Sequence, residues 1–132
     1  MGITSFDHVN VRTAALDRMI AFYRTILGME PGERPPFPFG GAWLYCAGRP
    51  VVHLVAVAQA PRTQEPRIEH FAFSAEGLAD FLAHLRRHGI AYEIGLLPAW
   101  NVRQVNFHDP DGNHIHVDFP AHEQADLSAF SG

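Results

Sequence analysis

The side chains best suited to chemistry in this sequence are its nine histidines, among 132 residues. Histidine is the commonest metal ligand and the only side chain whose unperturbed pKa lies near neutrality, so the pattern indicates metal binding or proton transfer. Four histidines fall in segments where apolar and polar residues alternate as they do in strands. These four are His8, His53, His70 and His116.

The other histidines have less specific settings. His84 and His88 fall in a helical segment beside Arg86 and Arg87, which is typical of a solvated helix face. His114 is predicted at the edge of the last strand.

The four strand histidines occupy related positions of an internal repeat. Landmarks of the first half recur 61 to 63 positions later: His8 with His70, Leu16 with Leu78, Gly28 with Gly89, and His53 with His116. Each half therefore opens and closes with a strand histidine, an arrangement that is hard to explain by chance.

The elements that position these histidines follow from periodicity and turn residues. In the first half we predict strands at 6–12, 42–46 and 50–57 and a helix at 14–27, with Thr13 as N-cap and Gly28 as the stop. In the second half we predict strands at 68–73, 91–94, 102–108 and 113–119 and a helix at 78–88. The prediction is one α+β domain with modules at 3–58 and 68–119, a linker at 59–67 and a tail at 120–132.

Composition narrows the class of partner. The chain is 47% hydrophobic, as expected of a globular domain, and its net charge of −4 gives no reason to expect nucleic acid or an anionic membrane as a partner. A small-molecule substrate fits better. The single cysteine, Cys46, excludes an internal disulfide and favours the cytoplasm, and we see no signal peptide or membrane-spanning stretch.

With these motifs in this order, the sequence resembles the glyoxalase/bleomycin resistance protein/extradiol dioxygenase superfamily, also called vicinal oxygen chelate proteins, over residues 3–119. The matching motifs are Asp7-His8-Val9, Phe22-Tyr23, Ile26-Leu27-Gly28-Met29, His53, Glu69-His70-Phe71-Ala72, and the segment from Phe107 to Asn113. The resemblance implies two tandem βαβββ modules curled into a half-open barrel around one divalent metal ion, often in a homodimer.

The resemblance also implies a ligand set, which carries over to His8, His53, His70 and His116. At the position of His116 the family usually has a glutamate, and its glyoxalases have carboxylates at the places of both His53 and His116. Asp118, two residues beyond His116, would supply the missing charge if the strand register slipped by two. We favour His116 over Asp118.

A ligand set of neutral imidazoles suits Fe(II), Zn(II), Ni(II) or Cu(II) and argues against Mg(II) or Ca(II). We therefore expect one divalent transition metal ion, with Fe, Zn and Ni as the leading candidates. Because the ligands are neutral, the full metal charge would act on a chelating dianion such as a catecholate or an enolate.

Substrate contacts are predicted from strand alternation. Asn10 shares a face with His8, while Gln104 and Asn106 share a face with each other. Trp43 and Tyr45, with Phe37 and Phe39 before them, are candidates for the wall of an aromatic pocket, although aromatic residues at such spacing also build plain cores. The Asp109-Pro110-Asp111-Gly112 segment is predicted to be a turn with no catalytic role.

Three functions remain open at this stage. Dioxygenase-type oxidation is favoured over glyoxalase-type isomerisation, because both positions at which glyoxalases have a glutamate are histidine. The third is a bleomycin-resistance-type protein that binds a small molecule without catalysis, and the histidine cluster weighs against it.

Overall fold

The computed structural model describes residues 1–63 and 65–132. Gln64, which belongs to the predicted linker 59–67, lies outside the described residues. The chain divides into two compact units, residues 1–63 and residues 64–132. No helix among the described residues combines the length and the apolar character that crossing a membrane would need.

The first unit is a four-stranded sheet with one helix. Its elements are β1 (Val9–Thr13), α1 (Leu16–Leu27), β2 (Glu30–Pro31), β3 (Gly41–Cys46) and β4 (Arg49–Ala56). The strand order is β1-β4-β3-β2, with β1 parallel to β4 and the other neighbours antiparallel. The first and last strands of the module are therefore adjacent, which brings His53 beside the start of β1.

Helix α1 buries the side chains that recur at helical spacing, namely Met19, Phe22, Tyr23 and Ile26. It ends at Gly28, whose φ of +67° lies in the left-handed region that favours glycine. The prediction that Thr13 caps the helix is wrong, because Thr13 is the last residue of β1 and the helix begins at Leu16. The Thr13 hydroxyl instead accepts a hydrogen bond from the Ala15 amide at 3.0 Å.

The second unit repeats the same topology. Its elements are β5 (His70–Ser74), α2 (Leu78–Arg87), β6 (Glu93–Leu97), a 3-10 turn (Pro98–Trp100), β7 (Val102–His108) and β8 (His114–Pro120). The strand order is β5-β8-β7-β6, with β5 parallel to β8 and the other neighbours antiparallel. The predicted tandem βαβββ arrangement of an α+β protein is confirmed.

Strand alternation gives each sheet one apolar face and one polar face. In the second unit the apolar face forms a core with Leu82 and Leu85 of α2, and its strand residues are all buried: Val105, Phe107, Ile115, Val117 and Phe119. The opposite face carries the histidines of β5, β7 and β8. The hydrophobic pattern therefore decides which side of the sheet is available for chemistry.

Three local differences from the predicted elements are informative. The sequence pattern did not reveal β2, which is only two residues long. Strand β6 covers 93–97 rather than 91–94, because Tyr92 pairs with Phe130 of the C-terminal segment instead. The predicted tail thus contributes backbone hydrogen bonds to the second unit.

Candidate metal centre and substrate surface

The polar face of the second sheet gathers four histidines in adjacent positions. His70 of β5 is opposite His114 of β8, and His114 is in turn opposite His108 of β7. His116 lies two residues further along β8, opposite Asn106. The ring centroid of His70 is 5.2 Å from that of His114 and 4.6 Å from that of His116.

Glu69 joins two of these rings. Its carboxylate forms hydrogen bonds with Nδ1 of His70 and, at 2.9 Å, with Nδ1 of His114. The hydrogen bonds with His70 and then His114 lower the pKa of Glu69, so the carboxylate is ionised at neutral pH. One ligand atom from each of Glu69, His70 and His114 lies within 4.8 Å of the others, which is compact enough to hold a metal ion.

His114 is held at both ring nitrogens. Its Nε2 is 2.8 Å from Oδ1 of Asn106, and the Asn106 amide is oriented by its own donation to the Gln104 carbonyl at 3.2 Å. Both imidazole nitrogens therefore lie within hydrogen-bond distance of a side-chain oxygen. To bind a metal ion, His114 would have to release one of these partners.

His116 has one nitrogen held and one available. Its Nδ1 is 2.6 Å from Oδ1 of Asp118, and the residue is only 6% exposed. Among the described residues, no hydrogen bond engages its Nε2. The Asp118 carboxylate thus orients the His116 imidazole, as carboxylates do beside metal-binding histidines, and the choice between the two as ligand stays a prediction.

The first unit has a matching acid–imidazole pair. His8 lies just before β1, and its Nδ1 is 2.6 Å from Oδ1 of Asp7. This hydrogen bond is the main reason why the pKa of Asp7 is lowered. Asp7-His8 and Glu69-His70 are equivalent in the repeat, so both modules hold their opening histidine in the same way.

His53 is the centre of an aromatic stack. It lies between His8 and Trp43, at centroid distances of 3.8 and 3.9 Å and with nearly parallel rings. Its Nε2 donates to the Pro50 carbonyl at 2.9 Å. Burial is the main cause of the lowered pKa of His53, so the ring is neutral at pH 7.

This stack bears on the predicted ligand set. Imidazole lone pairs lie in the ring plane, and a metal–nitrogen bond is about 2 Å long. Because the planes of His8 and His53 differ by only 12° and their centroids are 3.8 Å apart, the two rings in this arrangement cannot both direct a lone pair at one ion. His8 with His53, and His70 with His116, are each brought together within their own unit, and the four-histidine set stays a prediction.

The predicted substrate-binding residues have distinct environments. Asn10 is exposed beside His53 on the polar face of the first sheet. Trp43 stacks on His53. The Tyr45 hydroxyl instead donates a hydrogen bond at 2.7 Å to the carbonyl of Glu33, in the loop between β2 and β3. Gln104 and Asn106 lie on the polar face of the second sheet, half-buried.

An open groove extends from this part of the second sheet. Its volume is about 620 Å³, within the range of small-molecule sites. It is lined by Ser74, Ala75, Glu76, Asn101, Val102, Asp118, Phe119 and Pro120. The side chain that orients His116 therefore also borders space for a small molecule.

Sequence reasoning missed the roles of Glu69 and His114. Strand alternation would direct Glu69 away from His70, but it precedes β5, where alternation does not apply. A detectable signal was the recurrence of an acid immediately before the opening histidine in both modules, Asp7-His8 and Glu69-His70.

Comparison with known proteins identifies the family. The sequence profile of the Glyoxalase/Bleomycin resistance protein/Dioxygenase superfamily matches residues 5–117. The chain belongs to this superfamily.

Its relatives in the superfamily have different activities. Glyoxylase I 4 of Arabidopsis thaliana is 31% identical over 123 residues, which cover 87% of this chain and 70% of that protein. A manganese-dependent 2,3-dihydroxybiphenyl 1,2-dioxygenase of Geobacillus genomosp. 3 is 29% identical over 117 residues, covering 82% of this chain but only 36% of the dioxygenase. Membership therefore does not by itself fix the reaction.

A solved structure supports the fold assignment within the superfamily. A Bacillus anthracis protein described as a member of the glyoxalase family superposes with a TM-score of 0.75 at 25% identity. The match covers 91% of this chain and 98% of that one.

Proposed function

We propose that this protein is a metal-dependent enzyme that acts on a small substrate with two neighbouring oxygens, such as a catechol, by dioxygenase-type chemistry. The observation that carries the proposal is the group formed by Glu69, His70 and His114, whose ligand atoms lie within 4.8 Å of one another. Two imidazoles and one carboxylate form the donor set of non-haem iron oxygenases.

Imidazole nitrogen and carboxylate oxygen together suit Fe(II), Mn(II), Zn(II) and Ni(II), and the manganese-dependent relative is consistent with this range. A divalent ion in such a site would lower the pKa of a chelating substrate hydroxyl. Glu69 supplies the negative charge that an all-histidine set would lack.

His70 is common to the ligand set predicted from the sequence and to the group defined by geometry. The neighbouring ligand is either His114, which must release Glu69 or Asn106, or His116, whose Nε2 has no hydrogen bond among the described residues. In the second case Glu69 orients His70 as Asp118 orients His116. The Asn106 amide and the groove beside Asp118 would then bind and orient the substrate.

A glyoxalase-type lyase or isomerase is the second candidate. The observation in its favour is that the chain covers 70% of the Arabidopsis glyoxylase but only 36% of the dioxygenase. Such an enzyme needs a base that moves a proton at a carbon next to a carbonyl, and Glu69, which is ionised at neutral pH, is our candidate for that base.

The first experiment measures metal uptake by protein without a histidine tag. We expect about one equivalent of Fe(II), Mn(II), Zn(II) or Ni(II) per chain, lost in His70→Ala and retained in the matched control His88→Ala, which removes an exposed histidine of the α2 C-terminus. Wild-type protein that takes up none of these ions would contradict the proposal and favour metal-free small-molecule binding. Full uptake by His70→Ala would contradict the site.

The second experiment separates the two reactions. With the metal-loaded protein, we expect dioxygen consumption on addition of a catechol and none with His70→Ala. If dioxygen is not consumed, but a 2-hydroxy-carbonyl compound in D₂O exchanges its carbon-bound proton, the lyase candidate replaces the dioxygenase.

A further inference from the structure

The polar face of the first sheet carries two arginines beside its aromatic stack. Asn10, His53 and Trp43 form one row across β1, β4 and β3. Arg12, Val55 and Gly41 form the next row on the same face. Successive rows on one face are about 7 Å apart, so Arg12 lies one row beyond His53.

The second arginine, Arg34, reaches this row from the preceding loop. A Cβ on Gly41 would first meet the Leu54 carbonyl oxygen, at 2.3 Å, and would then come within 3.0 Å of an Arg34 guanidinium nitrogen. The same guanidinium lies 5.0 Å from the centroid of Phe37, whose ring is 6.4 Å from that of Trp43, so it lies on the side of the sheet that carries Trp43. The two arginines therefore flank Val55 from opposite sides.

Neither arginine is neutralised locally. Among the described residues, no carboxylate lies within ion-pair distance of Arg12 or Arg34. One Arg34 nitrogen donates to the Phe39 carbonyl at 2.9 Å, which leaves further donors of the same group available. In a chain of net charge −4, two unpaired cations on one face are well placed to bind an anion.

Aromatic rings extend from this cationic row to the histidines. Phe39 stacks on Phe37 at 5.0 Å, Phe37 lies 6.4 Å from Trp43, and Trp43 stacks on His53. The guanidinium of Arg34 lies 5.0 and 5.3 Å from the centroids of Phe37 and Phe39. Both phenylalanines are substantially exposed, 40% and 46%, which leaves ring surface for another planar group.

We infer that this face binds a small aromatic anion, with the ring against Trp43 and Phe37 and the acidic group on Arg12 and Arg34. The inference goes beyond the proposed function and concerns the first unit by itself. It assigns a ligand class to this face: an aromatic carboxylic acid rather than a neutral catechol or an aliphatic hydroxy-carbonyl compound.

The test uses probes that cannot chelate a metal. Phenylacetate has the ring and the charge, benzyl alcohol has the ring alone, and cyclohexylacetate has the charge alone. Binding to metal-free protein is followed by the NMR signal of the Trp43 indole N–H, assigned with a Trp43→Phe variant. We expect benzyl alcohol and cyclohexylacetate each to bind about tenfold more weakly than phenylacetate.

Variants of the two arginines then test whether these side chains bind the carboxylate of the probe. Arg34→Gln and Arg12→Gln should each weaken phenylacetate binding about fivefold and leave benzyl alcohol unchanged. The matched control is Arg24→Gln, which removes an arginine of α1 that is paired with Glu30, and it should bind all three probes as the wild type does.

The inference is overturned if the three probes bind alike, if no probe binds, or if both arginine variants keep wild-type affinity for phenylacetate. Because the probes need no metal, failure of the metal-uptake experiment would not produce any of these results. Conversely, equal binding of the probes would leave the proposed metal chemistry intact.

Discussion

At the scale of single residues, one arrangement recurs: a carboxylate forms a hydrogen bond with Nδ1 of a histidine. It occurs as Asp7 with His8, Glu69 with His70 and Asp118 with His116. A carboxylate at Nδ1 fixes the tautomer and the ring orientation and leaves Nε2 as the ligand atom. Three of the four histidines predicted as ligands, His8, His70 and His116, therefore have one ring nitrogen held by a carboxylate of their own unit.

In this arrangement Asp118 is a positioning residue for His116, and its effect on metal affinity can be tested. We expect Asp118→Asn to lower the affinity for Zn(II) about 10- to 100-fold, because the amide holds Nδ1 of His116 less firmly and makes Nε2 less basic. The measurement is competition with a chromophoric chelator. Asp17→Asn, on the exposed surface of α1, is the control and should bind Zn(II) normally, whereas unchanged affinity in Asp118→Asn would remove His116 from the ligand set.

The stacked ring of His53 gives a second prediction at this scale. His53→Phe keeps an aromatic ring between His8 and Trp43 but removes both nitrogens. Since parallel stacked rings cannot both bind one ion, we expect this variant to retain wild-type metal uptake. Loss of metal uptake in this variant would contradict the prediction. It would show that the stack rearranges when the metal binds and that His53 is a ligand.

At the scale of elements, the turn between β7 and β8 sets the register of the histidine-bearing strands. The buried carboxylate of Asp109 accepts hydrogen bonds from the amides of Asp111 and Asn113, at 3.0 and 2.9 Å, and from the Asn113 side chain at 2.8 Å. The predicted turn is present and is closed by the Gly112 amide donating to the Asp109 carbonyl. Its role in holding β7 and β8 together is structural.

We expect Asp109→Ala to lower the free energy of unfolding by about 1–3 kcal/mol, because three part-buried donors lose their acceptor. Urea denaturation followed by circular dichroism measures the change. The exposed neighbour Asp111 provides the comparison, and Asp111→Ala should cost less. Equal stability of the two variants would mean that water replaces the Asp109 carboxylate without penalty.

Helix α2 depends on a residue far along the chain. The N-cap residue of α2, Gly77, has no side chain that could cap the helix. The carboxylate of Glu123 caps it instead, accepting hydrogen bonds from the amides of Gly77 and Leu78. These bonds, with the one from Gly77 foremost, lower the pKa of Glu123. The C-terminal segment thus stabilises a helix that precedes it in sequence.

Because its pKa is lowered on folding, Glu123 stabilises the fold above its ordinary pKa near 4.5, and this contribution is lost as the pH falls through the lowered value. Glu123→Gln should therefore reduce the thermal midpoint at pH 7 and match the wild type at strongly acidic pH. Differential scanning calorimetry at several pH values is the measurement. Glu76→Gln serves as the control, and a pH-independent difference for Glu123→Gln would refute the capping role.

At the scale of the whole molecule, the duplicated fold has diverged into two different polar faces. The face of the first sheet carries aromatic rings and arginines beside its histidines, whereas that of the second carries histidines, amides and a carboxylate. We therefore assign the proposed aromatic-anion surface to the first unit and the proposed metal centre to the second.

The homodimer implied by the family resemblance is a prediction for the whole chain. Sedimentation equilibrium at micromolar concentration should give twice the mass of one chain. A single-chain mass together with one bound metal ion would show that the chain needs no second copy to bind metal.

The sequence by itself determined the fold and the superfamily. Alternation and helical periodicity are local properties, so they located both helices and all strands but the two-residue β2, and the repeat related His8 to His70. Superfamily membership was also readable, because it rests on short motifs in a fixed order. The residues on each polar face followed from counting along the strands.

Tertiary structure alone decided the contacts between residues distant in sequence. Glu69 lies against His114, Glu123 caps α2, and Arg34 lies beside Gly41, and each of these depends on how loops close over sheets. The stacking of His8 on His53 likewise depends on ring orientation, which no periodicity encodes. Residue types and strand faces are fixed locally, whereas the direction of a ring or carboxylate outside a strand is fixed by whatever packs against it.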